Sequence, residues 1–240
     1  MPLMENEPLI HQLQQSLREH GDEAVRISIQ RFFKEGVRCY GLKTAAVRQI
    51  AKESYHRIRH HSKEEIFGLC EELWRSGYIE ECGIASEWAY ALRKQYSPDD
   101  WAVFERWVER YVDNWATCDT LCNHAVGDFL ERYLDFLPEL ERWARSPNRW
   151  VRRASAVSLI VPARKGRFQE QIFRLAGILL NDRDDMVQKG YGWMLKAASE
   201  AHQEDVFRFV LSHKAVMPRT ALRYAIEKMP ADLRKEAMMK

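Results

Sequence analysis

Two stretches of the sequence share one pattern, and they decide the fold. Residues 148–154 read Asn-Arg-Trp-Val-Arg-Arg-Ala, and residues 184–190 read Asp-Asp-Met-Val-Gln-Lys-Gly. Each contains, in order, two polar residues, a large apolar residue, a valine, a polar residue, a basic residue and a small residue. The two copies lie 36 residues apart, and each follows an apolar helical pattern that ends in a polar turn. We interpret them as equivalent helices of an internal repeat.

Paired helices with this spacing are typical of HEAT-type repeats, whose stacked inner helices line a concave surface. The small residue after the basic one, Ala154 or Gly190, would allow close helix packing. The basic residue, Arg153 or Lys189, would then lie at the rim of the inner face. Helices of this length with short links also fit a bundle, so it is the repeat that favours a solenoid.

Apolar residues recur at helical spacing along almost the whole chain, without the alternation or hairpin signals of strands. The first three helices are marked by Ile10, Leu13 and Leu17, by Val25, Ile27, Phe32 and Phe33, and by Val47, Ile50 and Ala51 behind an N-cap at Thr44. Later helices are predicted at 63–76, 79–95, 99–112, 115–134, 136–145, 149–163, 167–180, 184–199, 203–213 and 219–229. We therefore expect an all-α, HEAT-like helical repeat solenoid. It would form a single domain over residues 1–240, with N-terminal helices at about residues 8–35 flanking the repeats.

The composition indicates a globular chain with a real core, since 46% of residues are hydrophobic and 30% are charged. The 37 basic and 35 acidic residues nearly balance, so net charge does not point to nucleic acid. The sequence contains neither a phosphate-binding P-loop nor a glycine-rich dinucleotide loop. No histidine forms a recognisable triad with a serine or cysteine.

The five cysteines, at positions 39, 70, 82, 118 and 122, form no Cys-x-x-Cys pair. We expect buried reduced thiols rather than a zinc site, which fits a cytoplasmic protein. Residues 1–17 lack the features of a signal peptide. No window approaches the ~20 apolar residues of a membrane-spanning helix.

Trp115 and Asp119 are four residues apart and therefore share one face of a predicted helix. Asp119 is an anion in an otherwise apolar stretch, where a buried carboxylate is costly without a partner. Two interpretations are open at this point. Asp119 is either a structural residue, capped or salt-bridged inside the fold, or a functional carboxylate.

A second face carries Lys189, Trp193 and Lys196, and Arg149 and Arg153 have a similar spacing one repeat earlier. This pattern fits an amphipathic edge on which lysine stems cover the indole. If these helices line one surface with Trp115 and Asp119, the basic groups suit phosphates and the rings suit a cation or a sugar face.

The other six tryptophans, Trp74, Trp88, Trp101, Trp107, Trp143 and Trp150, sit within apolar helical patterns. We expect all six to be core or repeat-packing residues.

Four segments in register resemble the AlkD family of DNA alkylation-repair glycosylases, which are built from HEAT-like repeats. The segments are Tyr40-Gly41-Leu42-Lys43 followed by Arg48; Trp115 with Asp119 and then Gly127-Asp128; residues 150–154; and residues 188–193. They lie within a similarity that runs from about residue 25 to 230.

The resemblance implies a concave DNA-binding surface and an enzyme that excises N3- and N7-alkylated purines from duplex DNA without a metal or other cofactor. It implies that Asp119 is the catalytic carboxylate, that Trp115 and Trp193 flank the lesion nucleotide, and that Arg153 holds the backbone beside it. Members of the family leave the damaged base stacked. The DNA-binding set would be Arg153, Arg149, Lys189, Lys196, Phe32, Lys43 and Arg48. We expect a cytoplasmic monomer.

Two positions depart from the family pattern. Phe32 stands where the family often has a tyrosine, and Lys196 stands where it has an arginine. The first change removes a hydroxyl contact, and the second keeps the charge but loses the bidentate fork. Both affect DNA grip more than cleavage, and they favour one alternative, a non-catalytic protein that binds damaged or branched DNA. A second alternative, a protein-interaction scaffold, stays open because many HEAT-repeat proteins have that role.

Overall fold

The computed structural model describes residues 9–239, and all regular elements within them are helical. The prediction of an all-α fold is confirmed. A single isolated β-bridge joins Arg38 and Tyr78. The expected lack of a signal peptide at residues 1–17 falls partly on residues 1–8, outside the described range. Within that range no helix is long and apolar enough to cross a membrane.

The chain divides into two compact units, Met1–Thr120 and Leu121–Lys240, each with its own helices. The first contains α1 (Leu9–Glu19), α2 (Glu23–Gln30), α3 (Thr44–Ile58), α4 (Lys63–Ser76), α5 (Ile79–Ala91), α6 (Asp100–Arg110) and α7, which runs over Trp115–Leu121 and so ends at the boundary. The second contains α8 (Gly127–Arg132), α9 (Glu139–Trp143), α10 (Arg149–Val157), α11 (Ile160–Arg164), α12 (Gln169–Ile178), α13 (Asp185–Ala198), α14 (Gln203–His213), α15 (Arg219–Ala225) and α16 (Ala231–Met238).

Helix α4 has the predicted bounds because both of its ends are encoded locally. Ser62 and Glu65 form a reciprocal capping box at the start. Gly77 follows the last residue in the left-handed conformation, with φ 69°. The predicted α14 is also confirmed at both ends. Thr44, expected as an N-cap, is instead the first helical residue after Lys43.

Two predicted helices are interrupted within their length, and a third, expected at 79–95, ends at Ala91 before a 3₁₀ turn at Arg93–Gln95. The one expected at 115–134 contains a π-helical segment at Cys122–Val126, between α7 and α8. The one expected at 149–163 ends at Val157 and resumes at Ile160 as α11. Pro162 has no N–H to donate to the Ser158 carbonyl, which explains the second break. A Cβ at Gly127 would lie 2.8 Å from that same carbonyl oxygen, so α8 packs directly on the break.

The sequence reading also missed α16 (Ala231–Met238) and placed Phe32 and Phe33 within the second helix, which ends at Gln30. The six tryptophans predicted to be core residues are all buried, and the five cysteines are buried and free, as expected.

A partly buried carboxylate of the first unit, that of Glu71, collects several hydrogen bonds. Trp107 Nε1 and Arg106 Nη2 donate to Glu71 Oε2 at 3.1 and 2.7 Å, and the Tyr111 hydroxyl donates to Oε1 at 2.9 Å. Burial by itself raises the pKa of Glu71, but these hydrogen bonds outweigh it and lower the pKa from 4.5 to about 2. The folded first unit therefore favours the ionised form of Glu71.

The second unit confirms the repeat pattern. Asn148 and Asp184 occupy the same N-cap position and accept from the amides of Trp150 and Met186, at 2.9 and 2.8 Å. The two helices that follow, α10 and α13, pack against each other, and α13 packs in turn against α15.

Small residues set the spacing of these helices. A Cβ at Gly190 would lie 3.2 Å from Arg153 Cγ, and one at Gly192 would lie 2.7 Å from Tyr224 Cβ and 2.8 Å from the Ala221 carbonyl oxygen. The expectation that a small residue after a basic one permits close packing is thus confirmed at Gly190. Helix α13 depends on glycine where it meets α10 and where it meets α15.

We predict that Glu71→Gln lowers the free energy of unfolding by roughly 1–3 kcal/mol at pH 7. The folded-state pKa is lowered, so the stabilisation is present above pH 4.5 and is lost as the pH falls towards about 2. Urea unfolding of wild type and variant at several pH values measures this, and the difference should shrink below pH 4.5. Glu72→Gln, an exposed neighbour, is the control. A difference that stays constant down to pH 2.5 would contradict the assignment.

We predict that Gly192→Ala destabilises the protein by about 1–3 kcal/mol, because the added methyl group overlaps Tyr224 and Ala221. Gly177→Ala is the matched control: it is also helical, and a Cβ there meets nothing within 4 Å. Thermal unfolding should give a lower Tm for the first variant and an equal or higher Tm for the second. Equal shifts in the two variants would argue against tight packing at Gly192.

Candidate functional site

Helix α7 carries the predicted pair Trp115 and Asp119. Asn114 caps the helix, its side-chain oxygen accepting from the amides of Ala116 and Thr117 at 3.0 Å each. Trp115 lies in the first turn, and Asp119 follows one turn later, half-buried. The cap therefore fixes the start of a short helix on which both side chains share a face.

The indole of Trp115 is held by the connection that follows α2. It stacks on Phe33 with ring centroids 5.1 Å apart and planes 12° from parallel. Its Nε1 donates to the Phe32 carbonyl oxygen at 3.4 Å. Sequence reasoning assigned Phe33 only to a helix pattern, and no local signal shows that it supports a tryptophan 82 positions later.

These residues border a cleft of about 530 Å³ within the first unit. Its walls come from α2, α3, α5 and α7, and they are mostly apolar. Phe32 stands at its edge with 70% of the residue exposed. The predicted DNA contacts Lys43 and Arg48 also line the cleft. The structure thus brings Phe32, Lys43, Arg48 and Trp115 to one cleft.

The segment Tyr40–Leu42 is tied to α5 by a buried carboxylate. Glu80 accepts three backbone N–H groups, from Tyr40 at 3.1 Å, from Gly41 at 2.9 Å and from Leu42 at 3.2 Å. Gly41 adopts φ 95°, and a Cβ there would overlap the Asp22 carbonyl oxygen. This anchored turn leads directly into Lys43 and the start of α3.

The neighbouring residue, Glu81, is fully buried and holds the Tyr40 side chain. The Tyr40 hydroxyl donates to Glu81 Oε1 at 2.6 Å, and Gln14 Nε2 donates to Oε2 at 2.9 Å. The Tyr40 ring stacks on Tyr78 at 4.2 Å. Burial, together with the hydrogen bond to Glu81, raises the pKa of Tyr40 well above its usual range. Glu80 and Glu81 were not predicted from the sequence, although two adjacent acidic residues in an otherwise apolar helix could have indicated a structural role.

In the second unit, Arg149 and Arg153 lie on α10. Arg149 pairs with Asp184 at 3.4 Å, and its guanidinium lies 4.5 Å from the Trp150 ring centre. Arg153 is only 5% exposed and donates from Nη1 to the Met186 carbonyl oxygen at 2.5 Å. Arg153 is therefore packed between α10 and the first turn of α13.

Helix α13 carries Lys189, Trp193 and Lys196. Lys189 pairs with Asp185 at 2.7 Å. Lys196 pairs with Glu227 at 3.0 Å, and its Nζ lies 5.4 Å from the ring centre of Tyr224 on α15. Trp193 is half-buried. Sequence reasoning predicted the basic face but not that acidic side chains of the same chain pair with it.

The sequence model of a family described as DNA alkylation repair enzyme matches residues 13–229. The chain belongs to this family. The resemblance found in the sequence is thereby confirmed at the level of the family. No curated protein matches the sequence.

Two solved structures resemble this DNA alkylation repair family member in fold. One is described as a predicted DNA alkylation repair enzyme from Enterococcus faecalis, with a TM-score of 0.78, 16% identity and coverage of 88% of this chain and 97% of that one. The other is smu.31 from Streptococcus mutans UA159, with a TM-score of 0.61, 17% identity and coverage of 95% and 98%. At these identities the likeness establishes the fold.

Among the described residues of this family member, no group of three or more histidine, cysteine, aspartate or glutamate side chains could hold a metal ion.

We predict that Glu80→Gln loosens the segment that carries Lys43. The glutamine amide keeps one acceptor oxygen and replaces the other by a donor. One or two of the three backbone N–H groups of residues 40–42 then lose their acceptor. Hydrogen exchange at these amides should accelerate by about tenfold or more. Glu87→Gln, on the same helix and paired with Arg48 at 3.4 Å, is the control. Unchanged exchange in Glu80→Gln would show that its carboxylate does not hold the segment.

Proposed function

We propose that this family member is a DNA glycosylase that hydrolyses the N-glycosidic bond of positively charged N3- and N7-alkylated purines in duplex DNA. The observation that carries the proposal is the pair on α7, a half-buried carboxylate one turn beyond an indole that is itself held in place. Family membership supplies the chemical context, DNA alkylation repair.

The proposed reaction uses the charge that the lesion already bears. In N7-methylguanine the C1′–N9 bond breaks, and its electron pair moves into the base, which leaves as a neutral molecule. The sugar becomes oxocarbenium-like, and a water molecule adds to C1′ and loses a proton. Asp119 would stabilise the positive sugar and orient this water. A single carboxylate is enough, in contrast to the two of ordinary glycoside hydrolysis, since the base needs no protonation.

Aromatic faces would assist the same step. A cation over an indole is stabilised by about 0.5–2 kcal/mol. Trp115 would supply one such face, and its fixed position means that little ordering is required when DNA binds. Trp193 stays a proposed contact to the lesion nucleotide, as the resemblance implies.

The proposed grip on DNA uses basic side chains of each unit to neutralise phosphates. In the first unit these are Lys43 and Arg48, with Phe32 as an apolar contact. In the second unit they are Arg149, Lys189 and Lys196. Arg153, which the resemblance assigns to the DNA backbone, is only 5% exposed and would support this surface from within instead of meeting a phosphate directly. Exposed ion pairs such as Lys189–Asp185 contribute only about 0–1 kcal/mol, so a phosphate can replace the acidic partner at little cost.

We predict that Asp119→Asn keeps the fold and DNA binding but releases N7-methylguanine roughly 10²–10³ times more slowly. The change removes the negative charge while keeping the shape of the side chain. Release of methylated bases from alkylated duplex DNA, under single-turnover conditions, measures the rate. Fluorescence anisotropy gives the affinity, and thermal unfolding checks the fold.

Asp135→Asn is the control for this experiment, because Asp135 is an exposed acid in the second unit, outside α7. It should cleave like wild type. Wild-type protein that binds DNA but releases no methylated purine would instead indicate the non-catalytic alternative. Cleavage by Asp119→Asn at the wild-type rate would remove Asp119 from the mechanism.

A further inference from the structure

We propose that Phe33 is a positioning residue, which fixes the Trp115 indole in the orientation that the lesion site requires. This inference rests on the proposed function and deepens it, because it identifies what holds one of the rings assigned to the lesion nucleotide.

Trp115 needs external support to keep one orientation. It lies in the first turn of a helix of only seven residues and is half-buried. A half-buried side chain of this kind keeps rotational freedom about two torsions unless a neighbour fixes them. A ring that must meet a developing cation gains most when it is already oriented before the reaction.

Two contacts provide that support, and they restrict different motions. The near-parallel stack on Phe33, at 5.1 Å and 12°, fixes the plane of the indole. The hydrogen bond from Trp115 Nε1 to the Phe32 carbonyl oxygen fixes its rotation within that plane. At 3.4 Å this bond is long, so the stack is the stronger of the two restraints.

The supporting segment is itself held in place. The amides of Phe32 and Phe33 donate to the carbonyl oxygens of Ile29 and Gln30 at 3.0 and 3.1 Å. The amide of Gly36, at φ 76°, donates back to the Phe33 carbonyl oxygen at 3.2 Å. Phe33 is therefore part of a compact, hydrogen-bonded turn that can act as a fixed support.

The rings of Phe32 and Phe33 have different surroundings and therefore different roles. The Phe33 ring faces Trp115, whereas Phe32 is 70% exposed at the edge of the cleft. Lys43 and Arg48 line the same cleft. A large apolar ring that is exposed to water beside basic side chains suits contact with a nucleotide. Phe33 has no comparable exposure, so its role is to support Trp115.

The test compares Phe33→Leu, which removes the stack but keeps an apolar side chain, with Phe33→Tyr, which keeps the ring. Phe33→Leu should lower the single-turnover rate of base release at saturating DNA about 10- to 100-fold. Its Kd for DNA should stay within about threefold of wild type. Phe33→Tyr should keep the rate within about threefold of that of wild type.

The matched control is Phe173→Leu, which breaks another stacked pair, Phe173–Phe209 at 5.3 Å, in the second unit. It should leave the rate unchanged. An equal loss of rate in Phe33→Leu and Phe33→Tyr would overturn the inference. It would also be overturned if the loss in Phe33→Leu disappeared at a temperature at which this variant and wild type are both fully folded.

A second readout does not depend on catalysis. The Trp115 signal is isolated as the fluorescence difference between each protein and the same protein carrying Trp115→Phe. Quenching of this signal by acrylamide should increase about twofold or more in Phe33→Leu, and in Phe33→Met if the first variant does not fold. Equal quenching in all variants would refute the positioning role. Wild type that releases no alkylpurine while the quenching result holds would refute the proposed function alone.

Discussion

Helix α13 approaches two of its neighbours in the second unit, α10 and α15, at points where it has no side chain. Gly190 admits the aliphatic part of Arg153 on α10, and Gly192 admits the backbone and Cβ atoms of α15. Because interiors are close-packed, one added methyl group at either position must displace a neighbour. The placement of Lys189, Trp193 and Lys196 follows from this packing, since all three lie on the helix that the glycines position.

The first unit uses two buried carboxylates and one partly buried carboxylate to hold its elements in place. Glu80 collects three backbone N–H groups, Glu81 holds the Tyr40 hydroxyl, and Glu71 collects donors from Arg106, Trp107 and Tyr111. Burying an anion is unfavourable unless donors satisfy it, so each glutamate requires its partners to be in place. The result is a fixed segment before α3, at the part of the cleft that Leu42 and Lys43 line.

In the proposed mechanism, the candidate site of the first unit combines these supports with a carboxylate that acts on the substrate. Trp115 is restrained by a stack and a hydrogen bond, and Asp119 lies one turn further along the same capped helix. The Trp115 ring is oriented during folding and not during the reaction, which is what the proposed electrostatic stabilisation would require. A chemistry in which the substrate carries its own positive charge needs little more from the protein than a fixed anion and fixed rings.

The sequence by itself determined the helical class, the 36-residue repeat, the six core tryptophans and the bounds of α4, because periodicity and capping are encoded in neighbouring residues. It also determined the family and the pairing of Trp115 with Asp119 on one face. Only the tertiary structure decided the roles of Glu80, Glu81 and Phe33. Their partners lie about 40 to 80 positions away along the chain, and no local pattern encodes contacts that exist only once the helices have packed.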